Sequence, residues 1–491
     1  MHASTIDLII IAVYLTGITL FGCSFYFRKG GKDERTFTTG GGRIPGWAIA
    51  LSIFATQVSS ISYLALPAKA YLSNWNCFVL TLTIPIAALV ASKWFVPFYR
   101  KSTSVSAYSF LEERFGPWAR IYASACFLVM ETARSGVILF LLALTLKSVL
   151  GMSCFWIIVV TGVVTMLYSM LGGFKAVIWA DAIQSLILLL GTVAVILSLC
   201  FNIPVGLGEG IKMAWDAGKF SLGSFSIAEW GTETFWVAFM YGLCVNLQNY
   251  GIDQSFTQRY VAAKDDRSAS RSAFSGAMMY IPGTLLFVFT GTLLWIFSQT
   301  HPGLIPDDVA VQSDAVFPWY IVNRLPHGVS GLLVAAIIAA AMSTIAATLN
   351  SGSTVLLEDY YKRLRPAKAS NERNLRFLRA TTVLLTVASI CVAVAVMNVK
   401  SALTAWWGMQ SVLSGGMLGL FLLGAYSKRT TSLQAAIATV LGVVVVIYIT
   451  FGQKMLHLPY LIHVNLSIAL GTLTLFFVGW LLSTLKRPAA R

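Results

Sequence analysis

Five small polar residues, Thr56, Gln57, Ser59, Ser60 and Ser62, crowd the middle of an otherwise apolar stretch, Phe54 to Tyr71 (FATQVSSISYLALPAKAY), and Pro67 follows them. Hydrocarbon offers the backbone no hydrogen bonds, so a polar or broken segment at membrane depth survives only where it lines a cavity or faces other protein. Hydroxyls, an amide and freed carbonyls are also the oxygen ligands a hard cation takes, and they hydrogen-bond a polar solute equally well. The segment reads as half of a joint ion and substrate site. A second polar run, Ala335 to Thr354 (AAIIAAAMSTIAATLNSGST), sets Ala336, Ala340, Ser343, Thr344 and Ala347 on one helical face. By itself that face reads first as a small-residue stripe for close helix packing.

Ionisable residues inside apolar spans are functional candidates by default. Arg134, within VMETARSGVILF, is one. Its planar guanidinium suits a carboxylate on a solute, while Glu131, one turn earlier, offers an internal partner instead. Asp181, in GGFKAVIWADAIQS, has two readings of equal weight: a cation or hydroxyl ligand, or a packing residue near one face of the membrane. In NLQNYGIDQSFTQRY, Asn249 is a weak candidate for the cavity, and the later residues are expected at the membrane interface, where polarity is unremarkable.

These candidates need a scaffold, and composition supplies it. Of 491 residues, 57% are hydrophobic and 11% charged, against about 25% charge in a soluble globule. The chain is expected to be an all-α polytopic membrane protein. Apolar runs of about 20 residues or more fall at roughly 5–27, 46–72, 75–98, 118–149, 153–171, 176–201, 234–254, 272–298, 328–357, 375–398, 403–426, 431–451 and 459–485, about 13 spans in all. The first run lacks a basic flank and a cleavage signal, so it reads as a retained span.

The net charge of +15 resides in loops. With an odd number of spans and the N-terminus outside, Arg35, Arg43, Arg100, Lys101, Arg114, Arg259, Lys264, Arg267, Arg271, Lys428 and Arg429 all fall on the inner side, as the positive-inside rule requires. Nucleic acid is not needed to explain the charge. The seven cysteines lack CxxC spacing and the five histidines lack ligand spacing, which argues against a metal cluster or disulfide framework. Nor is there a nucleophile–base pair, so an enzyme is not expected.

Taken jointly and in order, GGGRIPGWAIALS, GGFKAVIWADAIQ, QRYVAAK, AAAMSTIAATLNS and GLFLLGAYSKR resemble the sodium:solute symporter family, and GGGRIPGWA with PAKAY is most similar to its bacterial sodium–sialic acid branch. The resemblance covers nearly the whole chain. It implies one membrane domain: an extra N-terminal helix (about 5–27), inverted five-helix repeats (about 45–201 and 234–426) with a broken first core helix, and C-terminal helices (about 431–485). It implies a sodium ion held by the carbonyls of Ala55, Val58 and Ala340 and the hydroxyls of Ser343 and Thr344. A second sodium site of some relatives would use Asp181 and two hydroxyls that fall here on Ala346 and Ala347, so one ion is expected.

For the solute, the resemblance implies Gln57, Ser59, Ser60, Ser62, Thr81 and Arg134, with Ser59, Ser62 and Arg134 taking a carboxylate. Gln57 stands where that branch has a smaller hydroxyl residue, and Thr81 where it has glutamine. The implied activity is sodium-coupled import by alternating access in a bacterial inner membrane, with the C-terminus cytoplasmic and no obligate protein partner. A carboxylated sugar such as sialic acid leads; a neutral sugar, a polyol or another organic anion is the alternative. A solute sensor without transport is a remote third reading, since sensors on such folds usually add a signalling domain and the tail here ends shortly after Lys486.

Overall fold

The computed structural model describes residues 4–27, 33–102, 104–306, 309, 313–364, 370–397, 402–455 and 462–485. They are helical almost throughout; the bridge between Ile44 and Ala263 is the one β-type pairing among them. The principal helices are α1 (Thr5–Phe27), α2 (Gly46–Gln57), α3 (Ser60–Leu72), α4 (Trp75–Lys101), α5 (Pro117–Leu150), α6 (Cys154–Phe201) and α7 (Phe235–Ile252). They continue with α8 (Gln254–Ala262), α9 (Asp266–Thr300), α10 (Val329–Val355), α11 (Asn371–Val396), α12 (Ala402–Tyr426), α13 (Ser432–Ile447) and α14 (Ser467–Leu485).

Among the described residues, ten helices are long and apolar enough to cross a bilayer, and the bent pair α2–α3 makes eleven. The 13 intervals read from the sequence exceed this in two places. Intervals 153–171 and 176–201 both fall in the 48-residue α6, which is two helices joined across a kink at Gly173 (φ 60°, ψ −162°) and is counted as one of the ten. At 1.5 Å per residue such a helix would measure about 72 Å if straight, more than twice a hydrocarbon core. A side chain at Gly173 would meet the Phe37 backbone at 2.9 Å, so the break requires glycine on both conformational and steric grounds. The other difference is α7, whose Asn246, Gln248 and Asn249 make it too polar for a span by hydropathy.

At the centre lies α10, where nearly every residue from Ser330 to Val355 is buried. It packs against α1, α5, α6 and α11. Its alanines, serines and glycines let neighbouring backbones approach closely, the usual currency of helix packing in lipid. Its N-terminus is held by the buried carboxylate of Asp7 on α1, whose Oδ1 accepts from the Gly328 and Gly331 amides at 2.8 Å each. A carboxylate there also complements the helix dipole. Two discontinuous helices flank this axis. The pair α2–α3 bends by 57°, and α7 passes into α8 through the extended residue Asp253 (φ −74°, ψ 127°).

Candidate functional site

The break between α2 and α3 follows from local sequence. Val58 and Ser59 leave helical geometry for extended backbone, and the Ser59 side chain caps α3 by accepting from the Ser62 amide at 3.4 Å. Serine is a preferred N-cap because its hydroxyl serves an amide that has lost its helical partner. The cost falls on the carbonyls at the end of α2, which have no residue four ahead to serve them.

Other helices supply the missing donors. Ser343 Oγ on α10 lies 3.1 Å from the Ala55 carbonyl and 3.1 Å from that of Ala340. Thr344 Oγ1 lies 3.3 Å from the Val58 carbonyl and 3.3 Å from that of Ala340. Thr56 O accepts from the Arg134 guanidinium on α5 at 3.4 Å. Three carbonyls and two hydroxyls from the two segments therefore converge in one buried knot. Oxygens of this kind suit a hard cation, and the hydroxyls can turn their lone pairs toward it while the carbonyls exchange a proton for a charge.

Beside the knot is a cavity of about 180 Å³. Of the expected solute residues, Gln57, Ser59, Ser62 and Arg134 line it, as does Asn249. Asn249 Nδ2 reaches Gln57 Oε1 at 3.5 Å, and Tyr280 OH reaches Ser62 Oγ at 3.4 Å. Ser60 and Thr81 are buried away from the cavity wall. Ser59 and Ser62 share one face of α3, three residues apart; Ser60 is rotated off that face, and its Oγ lacks a hydrogen-bond partner among the described residues. At the start of α4 it is Leu80, not Thr81, that reaches the cavity.

The guanidinium of Arg134 has company. Its Nη1 lies 3.3 Å from Glu131 Oε1, while Glu131 Oε2 accepts from Thr348 of α10 at 2.6 Å. The arginine side chain keeps 14% exposure, against 3% for Glu131, so it faces the cavity from a partly neutralised base.

Asp181 of α6 lies elsewhere. Its Oδ2 accepts from Ser52 at 2.5 Å and from Arg259 Nη2 at 2.8 Å, and both charged side chains are fully buried. Arg259 also donates to Ser52 and to the Ser255 carbonyl, and stacks on Phe174. Arg259 and its neighbours, expected at a polar interface, are thus enclosed by protein. The break at Asp253 turns α8 into the protein, and Gln254, Ser255, Thr257, Gln258 and Arg259 are all buried. Ala346 and Ala347 are buried too and present methyl groups.

Sequence reasoning passed over several cavity residues: Lys69, Glu233, Tyr241, Tyr280, Trp406, Gln410 and Asn465. Lys69 and Glu233 form an ion pair at 3.1 Å at the cavity end of α3. Their opposite charges on two otherwise unrelated segments were a signal, but only tertiary structure brings them together. Tyr280 carried none beyond a hydroxyl in an apolar helix.

A model described as the sodium:solute symporter family matches residues 37–442. The sodium/sialic acid symporter SiaT of Proteus mirabilis is 31% identical over 94% of this chain and 93% of its own. The sodium/sialic acid symporter NanT of Aliivibrio fischeri is 30% identical over 97% and 92%. The solved structure of a sodium-coupled sialic acid symporter, substrate-bound and outward-open, superposes with a TM-score of 0.91 at 28% identity, covering 99% of each chain.

Proposed function

The chain belongs to the sodium:solute symporter family, and from that premise we propose that it imports sialic acid, or a closely similar carboxylated sugar, together with one sodium ion. It is a multi-pass membrane transporter that uses sodium, not an enzyme. The observation that carries the solute reading is Arg134 on the cavity wall with Ser59 and Ser62. A fork of N–H donors beside two hydroxyls is built for a planar carboxylate. The names of the Proteus and Aliivibrio relatives point to the same solute.

Sodium would occupy the knot of Ala55, Val58, Ala340, Ser343 and Thr344. By bridging α10 to the broken end of α2 it fixes the segment that carries Gln57, Ser59 and Ser62, so ion and solute each raise the affinity of the other by one common factor. A single ion is favoured by the methyl groups of Ala346 and Ala347 and by the engagement of Asp181 with Arg259. The repeats run 45–201 and 234–426, the N-terminus is outside, and the C-terminus lies in the cytoplasm beneath a bacterial inner membrane. In that orientation the Lys69–Glu233 end of the cavity faces outward. No further protein subunit is invoked.

A second reading, a neutral sugar, a polyol or another organic anion, is favoured by the 3.3 Å contact that gives Arg134 an internal carboxylate. Sodium-driven uptake into proteoliposomes tests both. One sodium with one monoanion moves no net charge, so sialic acid uptake should need sodium and ignore a negative interior potential. A neutral cargo would be accelerated, since each charge gains about 2.3 kcal/mol per 100 mV. Absence of sialic acid uptake would reject the first reading.

A further inference from the structure

Two ties run in parallel between α10 and the broken end of α2. One is the oxygen knot, Ser343 and Thr344 against Ala55 and Val58. The other passes through α5: Thr348 to Glu131, Glu131 to Arg134, Arg134 to the Thr56 carbonyl. Thr348 lies one helical turn beyond Thr344, and Thr56 is the residue after Ala55. Both ends of the second tie are therefore anchored beside the first.

We infer that Glu131 is a positioning residue that transmits occupancy of the ion site to Arg134, setting how much of the guanidinium is presented to the cavity. The bond lengths argue for the direction. Thr348 grips Glu131 at 2.6 Å, whereas Glu131 holds Arg134 at 3.3 Å and Arg134 holds Thr56 at 3.4 Å. Short charge-assisted bonds are the strong ones, so Glu131 follows α10 and the slack lies at the arginine. A cation that draws Ala55 and Val58 onto Ser343 and Thr344 fixes Thr348 relative to Thr56, and the slack bonds of Arg134 must adjust. The other buried acid within electrostatic reach, Asp253, caps its own helix at the Ser255 amide (2.7 Å), leaving Glu131 as the link.

The inference rests on the sodium assignment made above but needs no particular solute, and a native thiol permits its test. Cys77 lines the same cavity as Arg134. In the full chain with the other six cysteines replaced by serine, reconstituted in nanodiscs, Cys77 is modified with an anionic and with a neutral methanethiosulfonate. The ratio of the two rates reports the positive charge the cavity presents. Sodium should change this ratio roughly fivefold, the low end of ordinary coupling, and Arg134→Ala should abolish the change. Glu131→Gln and Thr348→Val should abolish it too while still binding radioactive sodium. Glu131→Asp, which keeps the charge but loses reach, should behave like Glu131→Gln.

If Glu131 merely neutralises Arg134, the variants will shift the ratio equally with and without sodium, and the inference is overturned. It is overturned equally by a wild-type ratio indifferent to sodium. Sialic acid is a separate arm. If it fails to protect Cys77 while the sodium effect is intact, the solute reading falls and the relay stands.

Discussion

Arg259 and Arg134, two of the arginines enclosed by this protein, have opposite sets of partners. Arg259 is fully buried, paired with Asp181 at 2.8 Å, bonded to Ser52 and Ser255, and stacked on Phe174. Arg134 retains partial exposure on a cavity wall, and its contacts to Glu131 and Thr56 are long, at 3.3 and 3.4 Å. A guanidinium with its donors committed holds helices together; one with loosely held donors can exchange them for a ligand's oxygens. The comparison teaches that burial of a charge in a membrane is not by itself a sign of work. What marks a working charge is an incomplete set of partners beside a cavity.

The comparison breaks most visibly at Arg259. Arg259→Met should cost about 3–5 kcal/mol of stability by stranding the Asp181 carboxylate, read as loss of monodisperse protein in size-exclusion chromatography. Replacing both partners with apolar residues should recover most of that loss, because neither charge is then left alone. A smaller effect is expected at Arg134. Arg134→Ala should reduce the folded yield less than Arg259→Met, because Glu131 keeps its bond from Thr348, and should weaken solute binding roughly 10- to 100-fold, as loss of a hydrogen bond to a charged group implies; isothermal titration would measure it. An unchanged affinity would place Arg134 in the company of Arg259.

Ser343→Ala touches neither arginine. It should raise the sodium concentration for half-maximal uptake by about five- to tenfold, the worth of roughly 1 kcal/mol, and unchanged sodium activation would remove Ser343 from the ion site. Smallest of all, Lys69→Gln should alter the uptake KM less than about fivefold, since its pair with Glu233 is half-exposed and such pairs are worth about 1 kcal/mol or less. Raising the ionic strength should erase even that difference.

The convergence of Ser343 and Thr344 on the carbonyls of Ala55, Val58 and Ala340 was legible early because hydroxyls in an apolar helix are conspicuous and the family pattern locates the carbonyls opposite them. Gln57, Ser59, Ser62 and Arg134 were legible for the same reason. Ser60 and Thr81 do not line the cavity, because a helix position one residue out of phase turns a side chain by about 100°, which composition cannot reveal. The burial of Arg259 was not legible because a charged residue near the end of an apolar run ordinarily marks a solvated surface. Only the extended Asp253, folding α8 back into protein, overrides that rule. The sequence reading divides the apolar run around Gly173, and the backbone breaks there too; span counting met its limit at α7, where Asn246, Gln248 and Asn249 lower an otherwise apolar helix.

Three of the five oxygens in the proposed sodium site are main-chain carbonyls, borne by Ala55, Val58 and Ala340. No substitution of a side chain deletes them. If sodium binds there as proposed, a scan of single mutants would register two ligands, Ser343 and Thr344, and overlook the majority. Over evolutionary time the same asymmetry leaves those two hydroxyl positions as the dials by which ion affinity can drift, while the rest of the coordination shell is inherited with the shape of the backbone.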